Sequence, residues 1–368
     1  MEACDVLIVG GGPAGSSCAW GLRRSGLDVL LLDKRTFPRD KVCGGWITPR
    51  VLHSLGISPL QYSRYNLLQP MTGFRVGQMD GPAIETSYGA PVSYGIRRCE
   101  FDEYLLSRTR VRVALGVGLS SLERSGGAWL VNESIRARVV VGAGGHFCPV
   151  AALVGGKKPD ETPVVAQETE FEMDGTQADA CRVQGEMPEL YFCRDMKGYG
   201  WCIRKGNFLN VGLGRTDPHR LSTHVAGFIR FLNESGRVPF SVPTPRGHAY
   251  LLRGTSPRTV VDDGLLLIGD SAGLAHPQSG EGIGPAVASG LAAAKAIRSA
   301  RRNYEREKLT SYTEYLNANP PAWAARAGRL LPSGLSALAA RVLLRQPWFV
   351  RHVVLDGWFL HPAGSARS

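Results

Sequence analysis

The stretch from Asp5 to Asp33 constrains this chain more than any other. It reads Asp5-Val-Leu-Ile-Val-Gly10-Gly-Gly12-Pro13-Ala14-Gly15, then a helix-compatible segment, then Asp28-Val-Leu-Leu-Leu-Asp33. An apolar β-type run ends in a glycine turn, a helix follows, and a second apolar run ends in an acid. This is the GxGxxG pattern of a dinucleotide-binding βαβ unit. Gly10 allows the tight turn, Gly12 lets a pyrophosphate approach the backbone, and Gly15 lets the helix pack close to its strand. The helix N-terminus offers unpaired N–H groups and the positive end of a dipole. Asp33 follows Gly15 by eighteen residues, near the ~20 expected for an acid that binds ribose hydroxyls. The flanking strands and the acid separate this stretch from a glycine-rich turn without a ligand. Taken alone, it leaves FAD and NAD both open.

Composition narrows the partners. The 368 residues are 43% hydrophobic and 20% charged, with a formal charge of +11. That is an ordinary globular balance, with length enough for two domains. The positive charge favours anionic partners, such as a phosphorylated cofactor or an anionic lipid surface. There is no basic–aromatic groove pattern, so no nucleic acid is expected. Eight cysteines are scattered without CxxC pairs, as expected for reduced thiols in a cytoplasmic protein. No basic segment leads into a hydrophobic one at the start of the sequence, so no signal peptide is expected. No apolar run reaches ~18 residues, so no transmembrane helix is expected. The histidines lack metal-ligand spacing, and no metal is expected.

The segment leaving Asp33 contains Pro38-Arg-Asp-Lys-Val-Cys43-Gly44-Gly45. In an open α/β sheet, ligands lie beyond the carboxyl ends of strands, so topology puts this loop near the cofactor. Gly44 and Gly45 allow close approach to a flat ring. Cys43 reads equally as a reactive residue or a small buried thiol. Residues 50–56 read as helix and 57–70 as loop. Residues 72–94 read as a small antiparallel sheet. Arg97 and Arg98 then head a helix marked by Phe101, Tyr104 and Leu105, where an arginine fork can reach a diphosphate or stay solvated. Strands are expected at 110–122 and 128–141, the second returning to the nucleotide sheet at Gly142-Ala-Gly144-Gly145-His146.

Residues 160–260 read as a β-rich insert, with strands near 164–171, 182–185, 190–193, 200–204 and 208–213 and a helix over 222–235. Within it, Tyr199, Trp201 and Ile203 share one strand face, either lining a pocket or forming a sheet core. The chain returns with Gly264-Leu-Leu-Leu-Ile-Gly269-Asp270, then Gly280-Glu281-Gly282-Ile283 and a small-residue helix. Asp270 suits a sugar or ribityl hydroxyl. Gly280 and Gly282 are expected to keep N–H groups free at the helix mouth, suited to an anionic reduced ring. Glu281 is either a turn carboxylate or a packing anchor. In the tail, Leu335, Leu338, Val342 and Leu343 follow helical spacing beside Arg341 and Arg345. That helix either lies on an anionic membrane surface or packs on the protein.

Three separated motifs, Gly10–Asp33, Arg98 with Phe101-Asp102, and Gly269-Asp270 with Gly280-Glu-Gly-Ile283, resemble the FAD-dependent oxidoreductases of the p-hydroxybenzoate hydroxylase fold. Within that fold, Pro38-x4-Cys43-Gly44-Gly45 and Tyr199-x-Trp201 resemble the geranylgeranyl reductase family. That family carries Phe-Pro where this chain has Ile203-Arg204. The resemblance implies FAD as cofactor. Its pyrophosphate would lie over Gly12, Pro13, Ala14 and Gly15, after the turn at Gly10, with the ribose on Asp33, Lys34 beside the adenosine and Arg98 near the diphosphate. Asp270, Gly280, Gly282 and Ile283 would serve the ribityl and ring side, beside Gly44 and Gly45.

The fold class it implies is α/β: a Rossmann-type FAD-binding domain, a β-rich substrate domain and a helical C-terminal tail. Residues 1–70, 95–158 and 260–300 would form the first, 71–94 and 159–259 the second, and 301–368 the third. The expected activity is reduction of carbon–carbon double bonds in a hydrophobic, isoprenoid substrate. Cys43, Tyr199 or a water would supply the proton, and Tyr199 and Trp201 would hold the apolar chain. NAD(P)H would be a transient electron donor. Two alternatives are a flavin monooxygenase or halogenase acting on an aromatic or carrier-bound substrate, and a membrane-docked flavoprotein that only binds.

Overall fold

In the computed structural model, which describes residues 1–155, 161, 163–254, 258–318 and 339–360, four apolar runs become parallel neighbours. Glu2–Val9 pairs with Val29–Asp33 on one side and Ile135–Gly142 on the other, and Leu265–Leu267 pairs with Ile135–Gly142. These runs alternate little because both faces of a parallel sheet are buried; Leu7, Ile8, Leu31 and Val141 are all fully buried. Arg112–Leu115 extends the sheet beyond Val29–Asp33. Strand order reverses at Glu2–Val9, so the crevice beyond its carboxyl end is the topological switch point where ligands bind.

Met1–Asp40, Cys99–Thr162 and Tyr250–Pro321 form this first unit. The helices Pro13–Leu22 and Ile283–Ser299 cross through small residues. A Cβ at Gly290 would lie 2.3 Å from the Ala14 carbonyl oxygen, and one at Gly21 would lie 2.7 Å from Ala294 Cβ. Each helix starts at one of the glycine turns, so this crossing fixes the two turns relative to each other.

The second unit comprises Lys41–Arg98, Pro163–Ala249 and Ala322–Ser368. Its main sheet has seven strands, with Val164–Glu172, Phe208–Arg215, Gly198–Lys205 and Glu189–Phe192 as consecutive neighbours. One face packs under the helix Leu221–Glu234, through Val225, Phe228 and Leu232. Gly200 is glycine because a Cβ there would meet Phe228 at 2.6 Å. The other face carries Tyr199 and Trp201 and packs against the C-terminal segment. That segment is a short helix, Pro347–Phe349, continuing as a wide π-helix, Val350–Leu360. Val350, Leu355 and Leu360, with Val354 and Phe359, repeat every five residues and are all buried. Turns closed i to i+5 bring those rows onto one side.

Several expectations need correction. The 110–122 run is interrupted: Arg112–Leu115 and Leu122–Ser125 flank a loop that turns at Gly116, φ 75°. The 128–141 run is a hairpin, Ala128–Val131 with Ile135–Gly142. Its turn sits at Asn132 and Glu133, both left-handed, a conformation Asn tolerates better than most residues. The 57–70 loop contains the helix Pro59–Tyr62 and the strand Leu68–Met71. Residues 182–185 form only a bridge, Gln184 to Met187. Residues 41–70 group with the second unit because Trp46–Ile47 and Leu68–Met71 both pair with Ser93–Ile96. In the tail, Leu335 and Leu338 lie outside the described residues. Val342 and Leu343 are exposed, and Leu344 is the buried neighbour.

Candidate functional site

The first unit assembles a glycine cradle at the start of Pro13–Leu22. Gly10 sits at φ +116°, and a Cβ there would lie 2.4 Å from the Ala143 carbonyl oxygen. A Cβ at Gly15 would lie 1.8 Å from the Gly10 carbonyl oxygen. Gly12 is the N-cap of Pro13–Leu22 and makes no side-chain cap bond, with Pro13 at the first helical position. The first-turn N–H groups are therefore left for a ligand. The Asp33 carboxylate accepts from Gly11 N–H (2.7 Å) through Oδ2 and from Arg35 N–H (2.8 Å) through Oδ1. It shapes the glycine turn as well as ending the second strand. Lys34 beside it is exposed.

No sequence motif marks Arg39. A Cβ at Gly12 would meet its Nη2 at 3.3 Å, and Nη2 lies 3.3 Å from Oδ2 of the fully buried Asp102. Asp102 thus holds a guanidinium at the edge of the glycine loop. Arg98 heads the helix Arg98–Ser107 with its side chain buried.

The second glycine turn lies in the same unit. Gly269–Ala272 forms a 3-10 turn, capped by Gly273 N–H donating to the Asp270 carbonyl. The Asp270 Oδ1 lies 3.3 Å from where a Gly282 Cβ would be, so both halves of the motif meet. Glu281 is a turn carboxylate: its Oε1 accepts from Gly284 N–H at 3.0 Å. Gly282 caps Ile283–Ser299 without a side-chain bond, and Ile283 is buried at its start. Gly280 corrects an expectation. Its N–H donates to the His276 carbonyl (2.9 Å) and is not free; glycine is required by φ +69° and by Tyr250, whose hydroxyl a Cβ would meet at 2.2 Å. Gln278, in the same loop, has a buried side-chain amide with neither oxygen nor nitrogen hydrogen-bonded. A buried amide left unmatched is costly. The two uncapped helix starts, the glycine cradle, Arg39 and this orphaned amide all fit a dinucleotide with a polar ring edge.

The second unit builds the Cys43 turn. Gly44 packs on the aromatic strand, where a Cβ would lie 3.3 Å from Trp201 Nε1 and 3.7 Å from Ile203 Cδ1. Gly45 adopts φ +63°, with no room for a Cβ against the Ile96 carbonyl. A buried polar network fixes the turn. Cys43 N–H donates to Glu168 Oε1 (2.8 Å), and Asn210 Nδ2 donates to Glu168 Oε2 (2.5 Å) and to the Cys43 carbonyl (3.1 Å). Trp201 Nε1 donates to Asn210 Oδ1 at 2.7 Å. Lys205, fully buried, donates to the Gly44 (3.1 Å) and Ile96 (2.9 Å) carbonyls and pairs with Glu170. Burial pushes the Glu168 carboxyl above the usual carboxylate range, against the pull of the Cys43 N–H, Lys205 and Asn210. The Cys43 side chain stays partly exposed.

Tyr199 and Trp201 are half-buried in an aromatic row. Phe359 of the π-helix meets Tyr199 edge-on (5.4 Å) and stacks on Trp46 (5.3 Å, 4°), and Tyr199 lies 6.0 Å from Trp201. This face is apolar, with Trp201's one polar atom satisfied from behind by Asn210, and it is packed by the C-terminal segment through Phe359. No metal-ligating cluster exists among the described residues.

Residues 8–63 match the model of an NAD(P)-binding Rossmann-like domain. The chain is 30% identical over 325 residues to geranylgeranyl diphosphate reductase of Rhodobacter capsulatus, covering 79% of this chain and 74% of that protein. It is 28% identical over 325 residues to menaquinone reductase of Mycobacterium tuberculosis, covering 81% and 77%. A crystal structure of a geranylgeranyl bacteriochlorophyll reductase-like protein from Thermoplasma acidophilum superposes with a TM-score of 0.77 at 21% identity, covering 96% of this chain and 99% of that one.

Proposed function

Because this chain belongs to the geranylgeranyl reductase family of FAD-dependent oxidoreductases, we propose that it adds hydrogen across carbon–carbon double bonds of an isoprenoid chain. The observation that carries this reading is the Cys43-Gly44-Gly45 turn clamped against the Trp201 face. When bound, FAD supplies hydride chemistry that no side chain can. The chain's own residues do the rest. The Gly10–Gly15 cradle and Arg39 hold the diphosphate, Asp33 serves the ribose end, and Asp270, Gln278 and the Gly282 helix start meet the polar ring side.

Tyr199, Trp201 and Phe359 give the hydrocarbon an apolar bed and exclude water. Among Cys43, Tyr199 and water, the proton source is Cys43 Sγ, partly exposed on the turn that packs on Trp201. Glu168 and Asn210 fix the main chain on either side of that thiol. NAD(P)H is the electron donor, docking transiently. The substrate is a hydrophobic lipid, and the chain meets its membrane peripherally. Trp348, Val342 and Leu343 are exposed among the exposed Arg341, Arg345 and Arg351, an aromatic and basic set suited to an anionic bilayer surface. No helix among the described residues is long and apolar enough to cross a membrane.

The test is anaerobic turnover of polyprenyl diphosphates and polyprenyl quinones, read by mass spectrometry. The reading predicts products heavier by hydrogen pairs, formed without oxygen. Products that contain a new oxygen, and form only in air, would replace it with the monooxygenase alternative.

A further inference from the structure

The helices Pro13–Leu22 and Ile283–Ser299 begin at the glycine turns and end together at the other end of the sheet. A cleft of about 380 Å³ opens there, lined by Arg24, Leu27, Arg298, Arg301, Arg302 and Tyr304. It has more than ten times the ~30 Å³ share of a water molecule. The arginines are poorly matched by acids. Arg302 reaches Asp5 Oδ2 at 3.4 Å, but Asp5 is shared with Arg138 at 3.7 Å. Arg24, Arg298 and Arg301 have no carboxylate partner among the described residues. Positive charge continues behind them. Burial, then Arg24, Arg108 and Arg110, hold the Arg23 guanidinium below its usual value.

Two further observations point the same way. Tyr304 is 7% exposed, and its hydroxyl is buried without a hydrogen-bond partner. Arg301 and Arg302 are consecutive left-handed residues, at φ 46° and 71°, a backbone that side-chain-bearing residues rarely adopt. An arginine near a helix C-terminus offsets the dipole. That accounts for one or two cations, not for three unmatched ones around a concavity.

We propose that this cleft binds a multiply charged phosphate group, at a site separate from the dinucleotide cradle. Guanidinium forks match phosphate oxygens in pairs, and the Tyr304 hydroxyl is a spare donor. The phosphate belongs either to a soluble diphosphate or to a phospholipid headgroup.

The test uses FAD-saturated protein, so that the cradle is filled. Inorganic pyrophosphate is titrated calorimetrically at low salt, and vesicles of phosphatidylcholine with phosphatidic acid are sedimented in parallel. Arg301→Gly removes the charge while relieving the left-handed backbone, so weakened binding in it cannot be blamed on strain; Arg298→Gln is the second variant. The expected result is saturable binding that falls about tenfold or more in both variants and weakens with salt. Pyrophosphate binding identifies a soluble ligand, and vesicle binding alone identifies a headgroup. No binding of either, or binding unchanged in both variants, overturns the proposal.

Discussion

Replacing Asn210 with leucine removes the hub of the network behind Cys43 at nearly constant volume. Four partners lose a bond: the Glu168 carboxylate (2.5 Å), the Glu170 carboxylate (3.3 Å), the Cys43 carbonyl (3.1 Å) and the Trp201 indole N–H (2.7 Å). Each buried group left unmatched costs about 1–3 kcal/mol. Coupled losses in one network do not add fully, so we expect a total of about 3–5 kcal/mol for this unit. Losing the Asn210 donor also moves the Glu168 carboxyl further up, since that bond lowers it against burial. The sign follows from linkage. A carboxyl raised in the fold contributes stability below its unfolded value and loses it as pH climbs through the folded value. The deficit of Asn210→Leu must therefore be larger at about pH 8 than at about pH 5.

Cys202 gives a local readout, because it is fully buried on the opposite face of the Trp201 strand and labels only when that sheet opens. Its labelling rate, followed peptide by peptide, should rise by about two to four orders of magnitude at the higher pH. A rise below about tenfold, or a deficit that shrinks with pH, would refute the network argument.

Four further outcomes follow. Arg39→Met should weaken FAD binding by about tenfold, the usual worth of one charge-assisted contact, with apoprotein stability lowered by loss of the ion pair to buried Asp102; equilibrium FAD titration checks it. Gly290→Ala should impair both folding and FAD retention, since its Cβ would lie 2.3 Å from the Ala14 carbonyl oxygen; yield and flavin-to-protein ratio report this. Phe359→Ala should cost about 3–5 kcal/mol and loosen the aromatic face, seen as faster Cys202 labelling with raised KM for the lipid. Cys43→Ala should lose turnover while keeping FAD, and full turnover in that variant would remove the thiol from the mechanism.

The sequence made the local demands legible and left the long-range ones hidden. Gly10, Gly12 and Gly15 keep a fixed spacing within one βαβ unit, so their roles could be read from it, although the Ala143 carbonyl that closes on Gly10 lies far along the chain. Arg39 could not, because the acid that holds it, Asp102, lies on a helix far along the chain. The Cys43 turn announced itself through its glycines. Its anchors Glu168, Glu170, Lys205 and Asn210 sit on three strands whose register alone brings them together. Tyr199 and Trp201 could be placed on one face by the two-residue period of a strand, but not the helix that packs against them. Leu335 to Leu343 show the 3.6-residue spacing of an ordinary helix, whereas the buried rows from Val350 to Leu360 repeat every five residues and carry no such signal. At Gly280 a motif suggests a free N–H, but the backbone angle and Tyr250 are the reason for glycine.

The most direct test of the central claim is anaerobic stopped-flow mixing of the reduced holoenzyme with a geranylgeranyl-bearing lipid, watched at the flavin absorbance band. The account predicts that the oxidised flavin spectrum returns at a rate set by substrate concentration, with a saturated bond appearing in the product. A flavin that stays reduced through a panel of polyprenyl lipids and reoxidises only when oxygen is admitted would contradict it.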